Sequence, residues 1–188
     1  MRRARLTKLA QSLNKNNMQI IKLKKTNSTK DYITKRINKL SRQREDTVVT
    51  SRSITPGKGV FSKVNPTSLG GVHFSYLRFY TGVKGQGEAQ IKTLVCHAII
   101  NTLYSVGVKA EIKENKVLVG NRQVGDVDIQ IALIGDYLNY VVVTVSLNAN
   151  NNLQNCQSAP FITIKQITGK DVDIESLIFT LYYNLSNT

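Results

Sequence analysis

The stretch AEIKENKVLVGNRQVGDVDIQIALIGDYLNYVVVTVSLN, residues 110–148, reads as a run of strands separated by turns. Ala110–Lys113 and Lys116–Val119 are short strands, and Gly120–Asn121 turns the chain into Gln123–Ile134. Gly125 interrupts that third strand, yet Val127, Ile129 and Ile131 share one face. Gly135–Asp136 turns again, and Tyr140–Leu147 follows, whose Val141, Val142, Val143 and Val145 demand burial. An antiparallel meander of this kind is stable only when another layer covers its apolar face.

The flanking sequence supplies that layer. In Glu88–Val106 the residues Ile91, Leu94, Val95, Ala98, Ile99, Leu103 and Val106 keep the helical period, and Gly107 stops the helix. Cys96 and His97 lie on it and are read as packing residues. After a polar, loop-like Asn148–Ser158, Asp173 caps a final helix with Ile174, Leu177, Ile178, Leu181 and Leu185 as its stripe. Upstream, Val72–Tyr80 is a strand, and Ser53–Gly71 is a loop rich in Gly, Pro and Ser. Thr47–Thr50 is a buried β-branched strand. Ser28 or Thr29 caps a helix running to about Arg44, with Ile33, Ile37 and Leu40 inward and Lys35, Lys39 and Arg42 on another face. Gln19–Leu23 is a first strand. This order predicts an α+β domain over residues 19–188, with a mixed, mostly antiparallel sheet packed against helices.

The chain of 188 residues is long enough to bury one core, and its 41% apolar and 20% charged residues are those of a globular chain. No run of about 18 apolar residues is present, which excludes a helical membrane span. Two separated cysteines, Cys96 and Cys156, without CxxC or His pairing argue against a disulfide scaffold and a zinc module; no metal site is expected.

The net charge of +14 is unevenly placed. Residues 1–63 carry 17 Lys and Arg against Asp31, Glu45 and Asp46, which is the whole of it; residues 64–188 carry 9 basic and 9 acidic residues. A basic segment on a neutral body implies an anionic partner, nucleic acid or a membrane surface; ordinary solvated lysines are the bland alternative. Residues 1–18 contain Arg2, Arg3, Arg5, Lys8 and Lys15 with no acid, and Leu6, Leu9, Ala10 and Leu13 at helical spacing. Arg-rich, acid-free and amphipathic is the pattern of a mitochondrial presequence, which points to a mitochondrial location, with cytoplasmic as the alternative. If retained, the same residues suit a basic arm along phosphates.

Four short motifs then fall in a telling order. They are Asn27-Ser28-Thr29-Lys30-Asp31-Tyr32; Thr55-Pro56-Gly57-Lys58-Gly59 with Gly70-Gly71; Val143-Thr144-Val145-Ser146-Leu147-Asn148; and Ile167 to Asp173. Together, over about residues 19 to 187, they resemble the catalytic domain of biotin protein ligases of the holocarboxylase synthetase type. The resemblance implies a biotin/lipoate ligase-like fold and a glycine loop, Gly57, Lys58, Gly59, Gly70 and Gly71, that cradles an adenylate. It also implies biotin, ATP and Mg as cofactors, and a biotin-accepting carboxylase domain as partner.

The same resemblance shows what is missing. Val60 stands where a second basic residue belongs, and Asn65 where a Trp does. Lys113 and Asn115 match only two residues of a K-W-P-N-D stretch, and Lys116 takes the acidic place. Gln123 replaces a lysine, Gly125-Asp126 replaces a small pair, and Ser146 replaces a glycine that approaches the ligand. Removing one charge-assisted hydrogen bond from a buried anion costs about 1.5 to 3 kcal/mol. Two such removals take away about two to four decades of rate. The sequence therefore points to a degenerate ligase fold without a cofactor, serving as a basic binding or scaffold module. Its partner would be RNA in a large ribonucleoprotein assembly such as a mitochondrial ribosome, contacted through Arg2, Arg3, Arg5, Lys8, Lys35, Arg36, Lys39, Arg42 and Arg44. The alternatives are an active biotin protein ligase using Lys58, Lys113 and Asn115, and a protein that binds an acyl ligand or carrier domain without activating it.

Overall fold

A computed structural model describes residues 18–55, 69–84, 87–152 and 160–188. In chain order the elements are β1 (Met18–Leu23), α1 (Thr29–Thr34), α2 (Ile37–Gln43), β2 (Asp46–Ser51), β3 (Val72–Phe79), α3 (Glu88–Ser105), β4 (Glu111–Lys113), β5 (Lys116–Val119), β6 (Arg122–Ile134), β7 (Tyr137–Leu147), α4 (Ile164–Thr168) and α5 (Ile174–Ser186). The strands form one seven-stranded sheet in the order β1-β2-β3-β7-β6-β5-β4. Among these described strands only β1 and β2 pair in parallel; every other pair is antiparallel. The predicted α+β class and mostly antiparallel sheet are what the chain adopts.

Alternation along β3 and β7 divides the core in two. Phe74, Tyr76, Val143, Val145 and Leu147 meet Val95, Ile99 and Leu103 of α3 and Leu177, Leu181 and Leu185 of α5. On the opposite face Val49, Leu77 and Val142 meet Ile33 and Leu40 of the first two helices. The two long helices are tied together by Asn184, whose Nδ2 donates to Thr102 Oγ1 at 2.9 Å.

Several expectations need correction. The single helix from Thr29 to Arg44 is two helices. At the junction the Arg36 amide bonds Ile33 O at 2.8 Å, a 3₁₀-type closure, and the Tyr32 carbonyl accepts from Arg36 Nη1 at 3.3 Å. His97 is exposed and Leu94 is 46% exposed, because the buried stripe of α3 runs through Val95, Ala98, Ile99, Thr102 and Leu103. Helix α4 lies in a segment read without structure. Thr163 and Gln166 form a reciprocal capping box at its start.

Candidate functional site

Helices α1 and α2 cover only part of their sheet face. Beyond the N-terminus of α1, three central strands present polar side chains in two rows. His73, Ser146 and Asp126 are in register across β3, β7 and β6, and Ser75, Thr144 and Asp128 form the adjacent row. Lys116 of β5 extends the first row beside Asp126. Neighbours in such rows stand about 5 Å apart. The alternation that sends Val127, Val143, Val145 and Leu147 into the main core sends these residues to the other side.

Helix α1 closes one flank. Ser28 caps it by accepting from Asp31 N at 3.1 Å. The next residue, Thr29, shares a hydrogen bond with Ser75 at 2.8 Å, and Ser75 shares another with Thr144 at 2.9 Å. Lys30 reaches across the strip, and its ammonium meets Asp128 Oδ2 at 2.7 Å. Among the described residues, His73 Nδ1, Asp126 Oδ1 and Asn148 Nδ2 are buried atoms without a hydrogen-bond partner.

Burial sets the protonation of this strip. Burial, with the Asp128 carboxylate beside it, pushes Asp126 up to about 7, and burial alone holds His73 down to about 4. The two act on stability with opposite sign. Asp126 is held protonated by the fold, so its contribution is complete below the ordinary carboxyl range and is lost as pH rises toward about 7. His73 is held neutral by the fold, so its contribution is complete above its ordinary value and is lost as pH falls toward about 4. The native chain should show little net slope from this pair between those limits. Asp126→Asn should unmask the histidine, with stability rising by roughly 3 kcal/mol from pH 4 to 6.5. Urea unfolding across that range checks it, and a variant whose profile runs parallel to the native one contradicts it.

The residues singled out from sequence are dispersed. Gly57, Lys58, Gly59, Val60 and Asn65 lie outside the described residues, as do Arg2, Arg3, Arg5 and Lys8. Gly70 adopts φ 97° and its carbonyl accepts from Asn150 N at 2.7 Å. A Cβ on Gly71 would meet Asn151 Nδ2 at 3.1 Å. Both glycines therefore admit the chain that follows β7. Lys113 is turned away to Glu111 at 2.8 Å on the exposed β4–β5 hairpin, while the Asn115 carbonyl accepts from Val127 N at 2.9 Å. Gln123, in the lysine position of the resemblance, is buried and donates to Gly125 O at 3.1 Å. Asp126 and Ser146, two further departures, face each other in the first row, and Lys116, another, extends it beside Asp126. His73, Ser75 and Asp128 were not read from sequence as site residues, and Asn148 was read only as the end of the Val143–Asn148 motif. The legible signal was Asp126-Val127-Asp128, two acids at strand period opposite apolar neighbours.

The basic residues form a separate surface. Lys35, Arg36, Lys39, Arg42 and Arg44 are all exposed along α1 and α2. Arg36 stacks over the Tyr32 ring at 3.8 Å, and Arg44 is bonded to the Tyr80 carbonyl and to Thr81 Oγ1. Among the described basic residues 18–55, only Lys22 and Lys30 form ion pairs. No helix among the described residues is long and apolar enough to cross a membrane.

This architecture is that of the biotin and lipoate protein ligases. A biotin protein ligase from Aquifex aeolicus in complex with biotin and ATP matches with a TM-score of 0.64 and 19% identity, covering 90% of this chain and 69% of that one. A Leishmania major biotin protein ligase in complex with biotin matches at 0.64 and 16% identity, covering 90% and 72%. A T. acidophilum structure with bound lipoic acid, described as a lipoate protein ligase candidate, matches at 0.62 and 12% identity, covering 91% and 85%. No protein-family model and no curated protein sequence matches the chain. At these identities the likeness establishes the fold.

To an acyl-adenylate the strip presents two aspartates, Asp128 already paired with Lys30 and Asp126 held toward its protonated form, with Lys116 beside it.

Proposed function

We propose that this chain is a non-adenylating protein on the ligase fold, a basic module that binds RNA within a large assembly such as a mitochondrial ribosome. One observation carries the reading: Asp126 and Ser146 face each other in a single row, at the positions where the resemblance asks for small residues. An aspartate there fills space the resemblance leaves open, and the ionised fraction of its carboxyl repels the anion the reaction must stabilise. The exposed cations Lys35, Lys39 and Arg42, without ion pairs among the described residues, supply the complementary support. They are dispersed along a surface, as phosphate-backbone contact requires, and do not converge on one pocket.

A second reading, an active ligase that forms biotinyl-AMP and modifies a carboxylase lysine, is favoured by the fold likeness alone. Purification of the chain under native conditions separates the two. Recovery of RNA and ribonucleoprotein is the expected result; recovery of a carboxylase without RNA overturns the proposal.

A further inference from the structure

Arg36 differs from the other cations of the basic surface in how it is held. Its guanidinium carbon lies 3.8 Å from the centre of the Tyr32 ring, and its Nη1 donates to the Tyr32 carbonyl at 3.3 Å. A guanidinium lying over an aromatic face is attracted to it, and the hydrogen bond adds a second point of attachment. Tyr32 in turn is half-buried and packs on the core cluster of Ile33, Leu40 and Val49. The ring is thus anchored from beneath, and the guanidinium covers its outer side. Arg36 itself is exposed, so the second face of this planar cation is open to solvent.

Charge flanks the stack. Lys35 precedes Arg36, and Lys39 follows one turn later, its amide bonded to the Arg36 carbonyl at 2.9 Å. Both lysines are exposed and form no ion pair among the described residues. A phosphate asks only for a cation within reach, which the lysines provide. A flat cation fixed by a ring beneath it offers something else, a surface on which another planar group can stack. Unpaired bases in RNA are held in this way on aromatic rings and on arginine planes. Bases inside a duplex are already stacked on one another, and the deep groove of the A-form helix closes them to side chains.

We propose that the open face of the Arg36 guanidinium carries one unpaired nucleobase, with Lys35 and Lys39 on the adjoining phosphates, so that this surface selects single-stranded RNA over duplex. The assignment rests on the RNA-binding reading and adds to it a contact that backbone charge alone does not supply. Attraction to phosphates by itself would favour the duplex, whose charge is denser.

The test titrates the full chain by fluorescence anisotropy, at one salt concentration, with three labelled RNAs of equal length. They are an alternating adenine–cytosine strand, the same strand with every base removed, and the duplex of the first with its complement. The expected result is that the single strand binds at least about fivefold tighter than the abasic strand, the gain from one stacked base. It should also bind tighter than the duplex. Arg36→Lys keeps the charge and loses the plane, so it should abolish this preference and leave affinity for the abasic strand unchanged. Binding of all three in proportion to their charge leaves the RNA reading standing and overturns the stacking. Binding of none overturns both. If the variant does not fold, NMR of the native chain decides. The Arg36 Nε–H resonance should move upfield under the ring of a stacked base with the single strand and stay in place with the abasic one. An unmoved resonance overturns the assignment.

Discussion

Raising the salt from about 50 to 200 mM should weaken binding of the full chain to a single-stranded RNA by about two to three decades, the slope for roughly five neutralised phosphates. The candidates are exposed and, among the described residues, without ion pairs: Lys35, Lys39 and Arg42 on the first two helices, with Lys24 and Lys25 in the preceding loop. Their side chains are exposed to solvent, so the free energy comes from released counterions more than from fixed hydrogen bonds. Arg44 contributes less, because its guanidinium is held at the Tyr80 carbonyl. Joint substitution Lys35→Glu, Lys39→Glu and Arg42→Glu should lower affinity alike for every RNA sequence and flatten the salt slope. Filter binding or fluorescence anisotropy reads both effects. Salt-insensitive binding contradicts the RNA assignment.

Gly125→Ala should destabilise the fold by about 3 kcal/mol, at the upper end of the usual cost of overpacking. A Cβ at this position would lie 2.4 Å from the Ser146 carbonyl oxygen and 2.6 Å from Leu147 Cδ2. The first of these atoms is backbone of a central strand, which cannot swing aside as a side-chain tip can. Relief requires β6 and β7 to part where Asp126 and Ser146 are paired. For a chain of this size the melting temperature should fall by roughly 6 to 12 °C. Gly135→Ala is the matched control. It has φ 56° and open space around it, so only the left-handed backbone is penalised, by about 1 to 2 kcal/mol. Thermal unfolding of the two variants checks the ranking, and a Gly125→Ala protein as stable as the native one contradicts this account of the strand.

Most of the fold was legible because its signals are local. The valines of β7, the period of α3 and α5 and the Asp173 cap each announce an element within a few residues. The break at Lys35–Arg36 was not legible, since no Gly or Pro marks it. Helix α4 was missed although Thr163-x-x-Gln166 is a capping signature, because five residues are too few to show a period. The site was legible in part. The motif departures named Gln123, Asp126 and Ser146 one at a time, but only strand register brings Asp126, Ser146 and His73 into one row. Lys30 and Asp128, 98 residues apart in sequence, meet only through the packing of α1 on the sheet. Sequence spacing carries no trace of such a pairing.

Pyrophosphate exchange with biotin and ATP tests the central claim most directly, because it reads adenylate formation alone. The full chain should give no exchange above the protein-free rate at any biotin concentration up to saturation of a biotin protein ligase run alongside. Enzyme-dependent exchange would show that Asp126 and Ser146 coexist with adenylate chemistry, and would contradict the account.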